Sequence, residues 1–310
     1  MIDTRINRRQ MCQLLAAGTA AACLPRSLQA ADSSKFQLQY ALASSMYGKL
    51  PLAEVVGEVH KIGAQWIDLW PMVHANQREQ MEEMGHERFA ELLKKHNVSL
   101  GMTTRYDLGP LGLDDELKVL KKFGGSLIVS GSVGPKNVTG AEAKAGVKEF
   151  VEKMKPHVEL AEEHGVTIGI ENHANALIAS VDSIRYLGEA AASPNLGIAL
   201  APYHLPQDEK LLAQLIEDLG PKLVHFYAWQ HGKGCMTKLP KEEELEQMPG
   251  RGSLDFRPIL AALKKIGYSR WVEIFMHPVP RGIPIMETLG AVTDEINAAR
   301  AYLDKCLAEL

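Results

Sequence analysis

The 310-residue chain is poor in cysteine: it has four, and two of them, Cys12 and Cys23, fall in the first thirty residues. The other two, Cys235 and Cys306, are too few for a disulfide framework, so the fold has to rest on its core. Net charge is small as well, at -4, with no basic stripe or tail, which argues against nucleic acid as a partner. After residue 30 no apolar run is long enough to cross a bilayer, so an integral membrane protein is not expected. No G-x-G-x-x-G follows the first strand-like run and no G-x-x-x-x-G-K-[ST] occurs, which removes the usual dinucleotide and P-loop signatures. The glycines of GGSLIVSGSVG straddle a strand-like run and read as turn residues.

Residues 1–30 carry basic residues, then a short alanine-rich apolar run, then the small Ala30. This is the pattern of an export signal, and the pair Arg8-Arg9 makes it twin-arginine-like. Two other readings stay open: an amphipathic first helix capping the fold, and lipid anchoring at Cys23. Export predicts a periplasmic domain over residues 31–310, carried across already folded and with any cofactor in place.

About 280 residues, in a chain that is 46% apolar, suffice for one large α/β domain. Strand-like runs recur roughly every thirty residues at 36–43, 65–70, 98–105, 126–131, 166–172, 196–201, 223–229 and 271–277. Amphipathic segments such as LAEVVGEVHKIG, HERFAELLKKHN, DDELKVLKKFG and DFRPILAALKKIG lie between them, and several end in Gly or Asn as helices do. Eight strands alternating with helices predict a single parallel (β/α)8 TIM barrel, with its chemistry at the C-terminal strand ends.

Polar residues gather at those ends. Glu171 closes VTIGIE, Glu273 stands in WVEIF, and His225 lies between them in LVHFYAW. Two carboxylates and an imidazole suit a divalent metal, an acid/base pair, or both. Of eleven histidines, five (His173, His204, His225, His231 and His277) fall within or just after the last four strands, more than scattered surface residues would give. Alternate strand residues point the same way, so Glu171 goes with His173, His225 with Tyr227 and Trp229, and Glu273 with Phe275 and His277. Trp70, His74, Arg105, His173, Tyr203, Trp229 and His277 are expected to line a pocket whose aromatic planes and hydrogen-bonding groups suit a sugar. The loop GKGCMTK at 232–238 reads as solvated, with an anion contact as the alternative, and Cys235 shows no activating partner.

The series IGIENH, GIALAPYH, LVHFYAWQ, GRGSLDF and WVEIF resembles the xylose-isomerase-like barrels, a group of sugar isomerases, epimerases and dehydratases, over nearly all of the chain after residue 30. The resemblance implies a site for Mn, Zn, Co or Mg held by Glu171, His225 and Glu273, with His204 contacting substrate. The fourth ligand, an Asp in the family, is Ala201 here, and His173, His204 or water is the candidate replacement. The implied activity is isomerisation or epimerisation of a sugar or keto-sugar by proton abstraction next to a carbonyl, with Glu171, Glu273 and His204 catalytic. A lyase or dehydratase using the same step is the runner-up, and a non-catalytic carbohydrate-binding barrel is a further alternative. A small carbohydrate is the expected partner, along with a possible homo-oligomer.

Overall fold

A computed structural model describes residues 36–310. The expected export signal and its Cys23 lie outside these residues. Leu38–Leu310 is one compact unit. It contains strands β1 (Gln39–Ala43), β2 (Trp66–Leu69), β3 (Ser99–Thr104), β4 (Leu127–Ser130), β5 (Thr167–Glu171), β6 (Leu196–Leu200), β7 (Leu223–Ala228) and β8 (Trp271–Ile274), each inside an expected run. Every strand pairs in parallel with its sequence neighbours, and the sheet closes where Gln39 and Tyr40 of β1 face Trp271 and Val272 of β8. The expected (β/α)8 barrel is therefore the fold.

The helices described are α1 (Leu52–Val56), α2 (Gln77–Met84), α3 (His86–His96), α4 (Asp114–Phe123), α5 (Gly140–His164), α6 (Val181–Ala190), α7 (Glu209–Leu219), α8 (Lys241–Glu244), α9 (Phe256–Lys265) and α10 (Leu289–Ala308). The segment LAEVVGEVHKIG forms no single helix: α1 stops before Gly57, whose freedom weakens a helix interior, and a 3-10 turn, Val59–Ile62, follows. Helices α3 and α5 end on Asn97 (φ 52°) and Gly165 (φ 68°), left-handed residues that let the chain turn back toward the next strand. Outside the barrel, α9 buries Phe256, Ile259, Leu260 and Leu263 at helical spacing against the similarly striped α7.

Inside the barrel, side chains stack by strand parity. Asp68 points inward from β2, His225 and Tyr227 from β7 and Glu273 from β8, all at most 1% exposed. Two residues further along each strand comes a large aromatic group: Trp70 after Asp68, Trp229 after Tyr227, Phe275 after Glu273. These three pack together, Trp70 stacked on Phe275 at 5.1 Å and Trp229 edge-on to it at 5.0 Å. Each such pair adds about 0.5–1.5 kcal/mol beyond its buried area. The result is an aromatic layer over a polar one. On β5 the corresponding step, from Glu171 to His173, ends in an exposed imidazole.

Candidate active site

A cavity of about 730 Å³ opens at the C-terminal ends of the strands, the end expected for chemistry. Its wall includes Trp70, His74, His173, Tyr203, His204, Trp229, His231 and His277, so of the seven residues expected to bind substrate all but Arg105 are there. The walls are preassembled by ring contacts. Tyr203 stacks on Trp229 at 3.9 Å, His74 on His277 at 4.3 Å, and His173 leans on His204 at 4.1 Å.

Among the described residues Glu171 is the only carboxylate on this wall. It is 3% exposed at the last residue of β5, and its Oε2 accepts a short hydrogen bond from the Tyr106 hydroxyl. His204, on a 3-10 turn after β6, brings Nε2 to 3.8 Å from Glu171 Oε1, and that nitrogen has no hydrogen-bond partner. Burial pushes Glu171 up to about 8, the charges of Glu273 and Asp68 adding to the rise and the Tyr106 hydrogen bond opposing it. Burial, reinforced by the positive charges of His173 and His231, pushes His204 down to about 3. At neutral pH the pair is thus a largely protonated acid beside a neutral imidazole.

Arg105 is elsewhere. Its guanidinium turns outward to Asp107 and to Glu116, which Arg78 also holds through two 2.8 Å bonds. Parity explains this: Thr104 at the end of β3 points inward, bonding Asp68 Oδ2 at 2.7 Å, so Arg105 faces out and Tyr106 faces in. Tyr106 is the residue that sequence reasoning missed here, and counting by two from the inward Thr104 would have found it. The loop at 232–238 is likewise less free than a solvated loop, because Cys235 is 5% exposed and its N–H donates to the Tyr203 hydroxyl at 2.8 Å.

The expected metal trio is divided. His225 and Glu273 lie beneath the aromatic layer, fully buried and off the cavity wall, with Nε2 and Oε2 at 3.5 Å. Glu171 instead stands on the cavity wall with Tyr106 and His204. Among the described residues no three His, Cys, Asp or Glu groups are gathered to hold a metal ion. Ala201 is fully buried, with both its backbone N–H and its C=O bonded to the Asn172 amide at 2.8 and 3.0 Å.

Asp68 joins the lower pair and was not anticipated. Burial, then the charge of Glu273, pushes its carboxyl well above the usual range; burial does the same to Glu273 and pushes His225 down to about 3. Asp68 Oδ1, both Glu273 oxygens and both His225 nitrogens have no hydrogen-bond partner. Leaving such buried groups unpaired costs about 1–3 kcal/mol each, so a cluster of them marks a site built for a further partner. The donor types suit a divalent cation, and a 3.5 Å separation suits two adjacent ligands of one ion whose bonds are about 2.1 Å long. His225 and Glu273 thus fit a metal as a pair; the four-ligand set of the resemblance is not assembled.

A family model described as the xylose isomerase-like TIM barrel matches residues 56–301. The chain belongs to that family. No curated protein sequence matches it. Among solved structures it is similar to an IolI protein with a bound zinc atom (17% identity, TM-score 0.63, covering 88% of this chain and 99% of that one). It is also similar to D-psicose 3-epimerase from Clostridium cellulolyticum H10, crystallised with D-tagatose (18%, 0.65, 87% and 99%). A third is AsbF of Bacillus anthracis, described as a probable 3-DHS dehydratase (17%, 0.62, 86% and 99%). At these identities the likeness is one of fold. Among the described residues no helix is long and apolar enough to cross a membrane.

Proposed function

We propose that this family member is a sugar-transforming enzyme of isomerase or epimerase type, in which Glu171 moves a proton at a carbon next to a carbonyl. The observation that carries this reading is the placement of Glu171: among the described residues the sole carboxylate on the wall of an aromatic, histidine-lined cavity, with its oxygens toward Tyr106 and His204. A carboxyl held near 8 works as acid or base near neutral pH, where proton transfer is most effective.

The ionised carboxylate takes the proton, and the electron pair of the broken C–H bond moves into the carbonyl to give an enediolate. Returning a proton to the other face gives the epimer, and returning it to the neighbouring carbon gives the isomer. Neutral His204, its Nε2 free and 3.8 Å from the carboxylate, hydrogen-bonds the substrate beside Glu171. Tyr106 holds the carboxylate oxygen in place. Trp229 and Tyr203 offer stacked faces to the carbon side of a sugar ring, and the rings around the cavity exclude water. His225 and Glu273 are the residues that would hold a divalent ion, which when bound beneath the aromatic layer would supply positive charge that favours the enediolate above it.

A second reading shares the first step. Glu171 and His204 stand on one side of the cavity, and among the described residues no second carboxylate lines the wall opposite them. That arrangement also serves elimination, where one site takes the proton and returns it to a leaving group departing with its electron pair. The place of action would be the periplasm, where free sugars and keto-sugars, not sugar phosphates, are met.

Incubation with candidate ketoses in deuterium oxide tests the proposal. Deuterium at the carbon next to the carbonyl of recovered substrate or epimer is the expected result, and a labelled unsaturated product would select elimination. Product without any solvent label would sink the proton-abstraction step. Metal content is checked separately: His225→Ala and Glu273→Gln should lower bound Mn or Zn, and Glu171→Gln should leave it unchanged.

A further inference from the structure

Arg281 stands on the cavity wall in the loop after β8, and among the described residues it is the only lysine or arginine there. Its hydrogen bonds are unlike those of the other well-placed arginines. Arg78, Arg105, Arg185, Arg251 and Arg257 each face a carboxylate. Arg281 instead donates from Nη1 to the carbonyls of Cys235 and Pro278, at 3.1 and 2.8 Å, and from Nη2 to Cys235 Sγ at 3.0 Å. Among the described residues no carboxylate shares these bonds. A guanidinium has five N–H donors, so three are spent on fixing the group, and Nε–H and one Nη2–H remain. Those two lie on one edge of the plane and match the two oxygens of a carboxylate.

The surroundings favour an anion. Glu171 is the only acid on the wall among the described residues, and its oxygens are turned to Tyr106 and His204. The stacked His74 and His277 both feel the positive charge of Arg281 as well as their burial. Of the two lysines in the 232–238 loop, Lys233 is committed to Glu243 at 2.8 Å and Glu246 at 3.6 Å, and Lys238 is off the cavity wall. The loop that reads in sequence as solvated, with an anion contact as the alternative, therefore contributes a backbone carbonyl and a thiol that orient an arginine from another loop.

We infer that the substrate of this cavity is an acidic sugar, a uronate, aldonate or keto-acid derivative, whose carboxylate is bound by the two free edge donors of Arg281. This rests on the enzymatic reading of the same cavity, deepens it to a substrate class, and sets the chain apart from the neutral ketoses named for one of its structural neighbours.

Calorimetric binding to the Glu171→Gln chain tests the inference without turnover. The probes are D-glucuronate and D-galacturonate, with D-glucose, D-galactose, D-psicose and D-glucose 6-phosphate as comparisons. At least one uronate should bind tenfold or more tighter than its neutral hexose. Arg281→Ala should bring the two to parity, and Arg281→Lys, which keeps the charge but not the fork, should recover part of the difference. Circular dichroism and the melting temperature of each variant establish that the fold is kept; if Arg281→Ala fails to fold, the Lys variant alone decides between loss and retention of the preference. Equal binding of acid and neutral sugar, a preference untouched in both Arg281 variants, selective binding of the phosphate, or no binding of either uronate would each overturn the inference. The solvent-label experiment fails or succeeds independently, because it reads proton transfer and not affinity.

Discussion

Two polar groups share the inside of this barrel, one opening to the cavity and one roofed by the aromatic layer, and they are built from the same side-chain types. The open one, Glu171 with His204 and Tyr106, reaches the cavity; the roofed one, Asp68 with His225 and Glu273, does not. Burial raises the carboxyls and lowers the imidazoles in both. The difference lies in what sits two residues further along each strand. Where that residue is Trp70, Tyr227 or Phe275 the polar group is roofed; where it is His173 the carboxylate is open to a ligand. One period-two step therefore separates a group that can touch substrate from one that can only hold charge beneath it.

The largest expected effect tests the open group. Glu171→Gln removes the proton carrier and keeps the shape, so kcat/KM should fall by about 10²–10⁴-fold. The same variant has a stability signature. A carboxyl raised from its usual value to about 8 in the folded chain stabilises the fold fully below pH 4.5, and that contribution is lost as pH rises through 8. Denaturation of Glu171→Gln should accordingly match wild type near pH 5 and exceed it by a few kcal/mol at pH 9, at about 1.4 kcal/mol per unit of raised pKa. Equal activity in the variant would remove Glu171 from the chemistry.

Unroofing the second group comes next. Phe275 is 1% exposed and packs on Trp70, Trp229 and Tyr227, so Phe275→Ala should cost about 3–5 kcal/mol, read as a fall in the denaturant midpoint. It should also admit water to Glu273. Hydrogen exchange or carboxyl-directed labelling that reaches Glu273 in this variant and not in wild type would establish the aromatic layer as the seal. Labelling that reaches it equally in both would break the comparison.

A smaller effect sharpens it. The Tyr106 hydroxyl holds the Glu171 carboxyl lower than burial alone would, so Tyr106→Phe should push it up from about 8. The limb of the kcat/KM profile near pH 8 should move to higher pH, with a loss in rate smaller than that of Glu171→Gln. A limb that stays in place would show that another group titrates there.

How much of this was legible in the sequence follows from the same geometry. Strands and helix ends are written in local pattern, so all eight strands fall inside the expected runs and Asn97 and Gly165 end their helices. Parity along a strand was legible too, and it correctly joined Glu273 with Phe275 and His277. What the pattern could not give was depth. Glu171 and Glu273 look alike at the ends of short apolar runs, but β8 continues into an aromatic layer that only the assembled barrel creates. Asp68 lies in the middle of QWIDLW and not at a strand end, although a lone acid in an apolar strand is itself a signal. Arg105 was chosen by chemistry over parity, and Tyr106 lost by the same choice.

Arg105 supplies the smallest and most discriminating test. It stands next to Tyr106 in sequence, yet its side chain joins Glu116 and Asp107 on the outside of the barrel. Glu116 is 2% exposed and could not be left unpaired without large cost, but Arg78 keeps it bidentate when Arg105 is removed. Arg105→Ala should therefore lower stability by only about 1 kcal/mol and leave kcat/KM unchanged, the reverse of Tyr106→Phe one residue away. A tenfold fall in kcat/KM with the melting temperature intact would mean that Arg105 swings into the cavity when substrate binds. The inward-outward alternation after β3 would then fail as a rule for which residues of this barrel meet the ligand.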